Sequence, residues 1–241
     1  MRILLTSTFS DYRIEDGREV PSPIIERFGQ LDAFRSVWCR NARVLIIASD
    51  PDDVCECDRV MERMRESFLM SGLDVGRIAI CDRRQPSAVD NLGEVDVLVL
   101  AGGHVPTQNA FMKKIGLREK LKSFRGSVVA LSAGSMNCAD TVYAIPELDG
   151  EAIDPAYKRW LSGLGLTDIN IFPHFQHLRG VTVDGLRMAE DIALPDSMGR
   201  EIVALTDGSY IMISDGRATV YGEAYMIKDG CITPIPHGSA L

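Results

Sequence analysis

Gly126-Ser127-Val128-Val129-Ala130-Leu131-Ser132-Ala133-Gly134-Ser135-Met136-Asn137-Cys138 joins two kinds of chain. The apolar run at 128–131 suits a buried strand, and the segment after Ser132 can be helical. A strand that turns sharply into a helix leaves its corner residue exposed above the sheet edge. The corner backbone is strained, so small neighbours are needed on both sides. Ala130 and Gly134 stand at the two flanking positions that a nucleophile elbow usually fills with glycine. The helix that follows would point its unpaired N–H groups and positive dipole end at the Ser132 hydroxyl. A seryl oxygen placed there can attack a carbonyl while nearby amides hold the oxyanion. Such small-residue turns also arise from packing alone, so the reading needs a base and an oxyanion partner from elsewhere.

Upstream, apolar runs at 2–7, 44–48, 77–81 and 95–100 read as four more strands. Between them, Ile24, Ile25, Phe28, Leu31, Phe34 and Val37 form one helical stripe. Met61, Met64, Phe68 and Leu69 form another, ended by Gly72. Residues 11–23 are polar and irregular and read as a loop. Strands alternating with helices predict a mostly parallel sheet covered on both faces, a three-layer α/β sandwich. Ligands of such sheets sit beyond the carboxyl ends of the strands, where Gly102-Gly103-His104 and Ser132 both fall.

Downstream the pattern changes. β-rich runs at 202–205, 209–213, 218–221 and 224–227 are separated by Asp207-Gly208, Asp215-Gly216 and Asp229-Gly230. Aspartate-glycine pairs between such runs are hairpin signals. The expectation is an antiparallel extension of the same sheet, within one domain spanning 1–241. These turns are read as punctuation without chemistry.

A chain of 241 residues is long enough for one well-buried α/β domain and short for two. A net charge of −8 argues against nucleic acid or an anionic membrane as the main partner. The six cysteines (39, 55, 57, 81, 138 and 231) include no Cys-x-x-Cys pair, and no histidine lies close enough to Cys55 and Cys57 to complete a zinc site. Thiols in a reducing compartment, no signal-peptide core and no membrane-length apolar run together predict a cytoplasmic protein. No metal or organic cofactor is implied.

Paired glycines let Gly102-Gly103 come close to a ligand and present bare N–H groups. One of those amides could share an oxyanion hole with Ala133. Of the four histidines, His174 lies where an apolar strand meets Pro173, a defined position of the kind a general base needs. A triad also needs a carboxylate to hold the imidazole tautomer. Asp140, Glu147, Asp149 and Glu151 all lie between Ser132 and His174, and nothing local selects one.

Gly102-Gly103 after a strand, Ser132-Ala133-Gly134 with Asn137, Pro173-His174-Phe175 and the closing Asp-Gly hairpins together resemble the peptidase E and cyanophycinase family of serine peptidases. The resemblance implies a class I glutamine amidotransferase-like, flavodoxin-like fold. It implies Ser132 as nucleophile, His174 as base, and the amides of Gly103 and Ala133 as the oxyanion hole. In peptidase E the acid lies fifteen residues after the serine, which points to Glu147 here, with Asp140, or a serine–histidine pair without a third member, as the alternatives. The family usually has asparagine after the paired glycines. His104 stands there and is expected in the substrate pocket. Peptidase E cleaves short peptides that begin with aspartate, a side chain that an arginine grips with two hydrogen bonds. Arg179 and Arg187 are the candidates. The implied activity is a dipeptidase or exopeptidase with a small peptide as its partner, and a homodimer is left open. Glutamine amidotransfer would need a thiol at the elbow. The alternative from another class is a non-catalytic ligand-binding or regulatory protein on the same fold.

Overall fold

The structure, a computed structural model, describes residues 1–9 and 11–241. The first strands are β1 (Ile3–Thr6), β2 (Tyr12–Glu15), β3 (Arg18–Pro21), β4 (Ala42–Ile47) and β5 (Val75–Cys81). They are followed by β6 (Val97–Leu100), β7 (Ser127–Leu131), β8 (Thr141–Tyr143) and β9 (Trp160–Ser162). Then come β10 (Asn170–Phe172), β11 (Thr182–Val183), β12 (Leu186–Arg187) and β13 (Glu201–Leu205). The last four are β14 (Tyr210–Ser214), β15 (Arg217–Tyr221), β16 (Ala224–Lys228) and β17 (Cys231–Ile235). The helices that matter for the site are α1 (Gln30–Val37), α2 (Val54–Met70), α3 (Val105–Lys114), α4 (Leu117–Leu121), α5 (Ala133–Asn137) and α6 (Phe175–Leu178).

A seven-stranded sheet runs β15-β14-β1-β7-β6-β4-β5. Its β1, β7, β6, β4 and β5 are mutually parallel, while β14 and β15 continue it antiparallel at one edge. Alternation along these strands sends side chains to two separate cores. Leu5, Leu45, Ile47, Leu98, Leu100, Val128 and Ala130 face one core. Leu4, Val44, Ile46, Val97, Val99 and Val129 face the other. Both faces are covered, which is why the strands read as unbroken apolar runs. Phe34 of α1 and Met64 and Phe68 of α2 fill one side. Phe111 of α3, Leu117 of α4 and Met136 of α5 fill the opposite side. The fold is the expected mixed α/β sandwich with a mostly parallel central sheet.

Two expectations need correction. The closing hairpins do not all extend the main sheet. Only β14 and β15 do, while β13, β16 and β17 join β10 in a second sheet ordered β10-β13-β16-β17. The β14–β15 hairpin is thus inserted between two strands that pair with each other across it. All four runs are short, β-rich and bounded by turn residues, so nothing local separates the two memberships. Residues 11–23 are not a plain loop either: β2 and β3 form an exposed hairpin whose turn is Asp16-Gly17. Its base is held to α2 by Arg63, which pairs with Asp11 at 2.9 Å and lies 4.3 Å from the Tyr12 ring centre. Among the described residues, no helix is long and apolar enough to cross a membrane.

Candidate active site

β7 ends one residue before Ser132, and α5 begins one residue after it. The Ser132 backbone sits at φ 48° and ψ −113°, outside the regions an L-residue ordinarily occupies. Its N–H donates to the Thr6 carbonyl at 3.0 Å, which ties the corner to β1. Ser135 adds a second tie: its Oγ accepts the Thr6 N–H at 3.0 Å and donates to the Thr6 carbonyl at 2.8 Å. Gly134 lies against the Leu100 carbonyl, in space that a Cβ would occupy, so α5 packs directly onto β6. Asn137 bolts α5 to α3 by donating to Gln108 Oε1 at 3.1 Å and accepting from Asn109 Nδ2 at 2.9 Å.

His174 is also held at positive φ, 53°, where it caps the short helix α6. Its backbone N–H donates to Ser7 Oγ at 2.8 Å. This fixed backbone brings the imidazole Nε2 to 3.0 Å from Ser132 Oγ. On its other side, Nδ1 lies 2.7 Å from Asp207 Oδ1. An ionised carboxylate only accepts, so Nδ1 carries the proton and Nε2 is free to accept from the serine hydroxyl. Ser7 Oγ donates to the same Asp207 oxygen at 2.9 Å, and Gln176 Oε1 accepts the Asp207 N–H at 3.1 Å. Burial alone would raise the Asp207 pKa. The hydrogen bond and charge of His174, with the Ser7 and Gln176 contacts, outweigh it and hold the carboxyl below its ordinary range.

The carboxylate against the histidine therefore belongs to Asp207 and not to Glu147. It comes from the first of the three Asp-Gly turns, to which the sequence alone assigns no chemistry. The reason is topological. β10 and β13 are parallel neighbours, with Phe172 beside Ala204. Chains leaving their carboxyl ends carry His174 and Asp207 side by side. Asp140 points elsewhere, pairing with Arg118 at 2.6 Å at the surface. Ser7, immediately after β1, had no local signal.

Glu147 lies close enough to His174 for their charges to couple, yet its carboxylate has no hydrogen bond or ion pair among the described residues. Burial first, and then the neighbouring Glu151, push its pKa up to about 7. Glu151 Oε2 accepts the N–H groups of Glu147 at 2.9 Å and Leu148 at 3.0 Å. Its other oxygen meets His104 Nε2 at 2.8 Å, and His104 Nδ1 meets Thr107 Oγ1 at 2.8 Å. His104 thus anchors a loop beside the site.

Gly102 lies flush with the elbow, since a Cβ there would stand 3.3 Å from that of Ser132. Gly103, at φ 154°, is backed by Ser49, which leaves no room for a side chain. The amides of Gly103 and Ala133 make no backbone hydrogen bond among the described residues. Arg187 is occupied by a two-bond pair with Asp191 at 2.8 Å. Arg179 is exposed, and its guanidinium lies 5.6 Å from the Phe175 ring centre. Cys138 is fully buried beyond the elbow, with its Sγ 3.3 Å from the Gly134 carbonyl. Among the described residues, no group of three or more His, Cys, Asp or Glu side chains is placed to hold a metal ion.

An α/β sandwich with a strained serine between strand and helix is the setting of a serine-type peptidase. The pattern of peptidase family S51 matches residues 35–221, and the chain belongs to that family. Its fold is similar to the crystal structure of a peptidase from an acI-B1 Actinobacterium, with a TM-score of 0.64 and 13% identity, covering 100% of this chain and 96% of the other. It is also similar to the structure of a putative peptidase E protein from Listeria monocytogenes EGD-e, with a TM-score of 0.60 and 15% identity, covering 91% of this chain and 96% of that one. No protein among the curated ones matches the sequence.

Proposed function

We propose that this serine peptidase is an exopeptidase that hydrolyses short peptides by acyl transfer through Ser132. The observation that carries the reading is the unbroken chain from Ser132 Oγ to His174 at 3.0 Å and from His174 to Asp207 at 2.7 Å. In this mechanism Ser132 Oγ attacks the scissile carbonyl as its proton passes to His174 Nε2. Asp207 stabilises the imidazolium that forms. The oxyanion is received by the amides of Ala133, at the start of α5, and Gly103. Collapse of the tetrahedral species breaks the C–N bond, and the leaving amine takes the proton from Nε2. Water then repeats the sequence on the acyl-enzyme, with His174 as base, and releases the acid.

A preference for an N-terminal aspartate would run through Arg179, whose guanidinium has no carboxylate partner among the described residues. Arg187 is already paired. Labelling with an alkyl fluorophosphonate tests the mechanism. Intact mass should show one adduct on the wild type and none on Ser132→Ala. A folded wild type that takes no label would favour the non-catalytic alternative. Dipeptides beginning with Asp, Ala and Lys test the side-chain choice. Arg179→Ala should lower kcat/KM for the aspartyl peptide alone, and an equal effect on all three would remove Arg179 from the pocket.

A further inference from the structure

The acyl-transfer chemistry assigns no task to Glu147, a carboxylate whose charge is felt at His174. The groups facing it are Glu151 and His174. The Tyr157 hydroxyl also feels its charge and is itself directed at the Ile145 carbonyl at 3.4 Å. Arg159, the cation behind Tyr157, is taken by Asp196 at 2.8 Å. No protein cation neutralises Glu147 among the described residues. A desolvated carboxylate without a partner is costly until a cation reaches it.

Its position is built rather than incidental. Glu151 grips the backbone at Glu147 and Leu148, and His104 grips Glu151. His104 follows the glycine pair that abuts Ser132, so the loop is referenced to the nucleophile itself. On its far side, Asp184 accepts the N–H groups of Gly150 at 2.7 Å and Ala152 at 2.9 Å. In a peptide the α-nitrogen lies two bonds from its residue's carbonyl carbon, a separation of about 2.5 Å. When the bond after the first residue is cleaved, a free ammonium must therefore sit within a few ångströms of the serine. A carboxylate on the loop that Glu151 and His104 tie to the glycines at the elbow is the natural receiver for it.

We infer that Glu147 is the specificity residue that binds the free N-terminal ammonium of the substrate, with His104 and Glu151 as the positioning residues that hold it. The inference rests on the serine exopeptidase reading. It narrows the substrate class to peptides with an unblocked N-terminus.

Two alanyl diphenyl phosphonates test it, one with a free amine and one N-acetylated, each reacting at Ser132. The rate of adduct formation is read by intact mass. With the wild type, the free-amine reagent should react about 10- to 100-fold faster, the size of a charge-assisted contact. Glu147→Gln should erase that preference, and Glu147→Asp should restore part of it. The ratio of the two rates cancels any general loss of nucleophilicity. His104→Ala should shrink the ratio mainly by raising the half-saturating concentration of the free-amine reagent.

Equal rates in the wild type, or a preference that survives Glu147→Gln, would overturn the inference. So would failure of both phosphonates on a protein that the alkyl fluorophosphonate labels. In each of those cases serine hydrolysis stands and only the role of Glu147 falls. If the fluorophosphonate itself does not label, the mechanism falls and the inference goes with it.

Discussion

In the proposed mechanism Asp207 acts by accepting from Nδ1, which leaves Nε2 unprotonated toward the serine. Asp207→Asn offers an amide that can donate to Nδ1, moving the proton to Nε2, where it blocks transfer from Ser132. An Asn-Gly turn is as acceptable as Asp-Gly, so the fold should survive. We expect kcat to fall by about 10²- to 10⁴-fold with little change in KM. Steady-state kinetics on any cleaved dipeptide checks it, and a loss below tenfold would contradict the assignment. Glu147 makes a different prediction, with its own sign. Its folded pKa of about 7 lies above the ordinary 4.5, so the folded protein holds a proton there that the unfolded chain has lost. Stability should therefore decline as pH rises through that window and level off above it. Glu147→Gln removes the decline. At pH 8 the variant should be more stable than the ligand-free wild type by roughly 1–3 kcal/mol, a gain of several degrees in Tm, with little difference near pH 4. Melting curves at the two pH values decide it.

The elbow is where local chemistry was most legible. Val128 to Leu131, then Ser132 and Gly134, is a sequence in which each residue serves its neighbours, so strand, corner and helix could be read in a row. Gly102-Gly103 was legible for the same reason. The strain at Ser132 gives a prediction of its own. A non-glycine residue held at φ 48° and ψ −113° costs on the order of 1–3 kcal/mol. Ser132→Ala removes the hydroxyl and keeps that cost. Ser132→Gly relieves it, against an unfolded-chain entropy penalty of about 0.5–1 kcal/mol. Both variants should be inert to fluorophosphonate, yet the glycine form should melt a few degrees higher. A glycine variant melting at or below the alanine one would mean that the surrounding packing, and not the backbone, sets the corner. The split of the closing hairpins was not legible. β13 and β16 pair across an inserted hairpin, and all four runs are similarly short and β-rich. Asp207 was hidden with them, because its nearness to His174 follows from β10 lying parallel to β13 and from no spacing in the chain.

At the scale of the whole molecule, the acid lies where the chain passes from one sheet to the other. The segment from β13 to β14 crosses between them, and the segment from β15 to β16 crosses back. Ser209 fastens the two crossings. Its buried Oγ accepts the Glu223 N–H at 2.8 Å and lies 3.1 Å from the Glu223 carbonyl and 3.0 Å from Thr206 Oγ1. Its carbonyl accepts the Ser7 N–H at 3.2 Å, which brings in β1 and the serine that bonds both His174 and Asp207. Ser209→Ala leaves the Glu223 N–H without that acceptor beside a buried side chain, a loss of about 1 kcal/mol. It also frees the turn that aims Asp207, so kcat should fall together with stability. A double-mutant cycle separates the two effects. In the Asp207→Asn background, Ser209→Ala should still lower Tm, because the crossings still need fastening. It should no longer lower kcat, because the carboxylate it aimed is gone. If the kcat losses instead multiply, Ser209 acts on catalysis by a route that does not pass through Asp207.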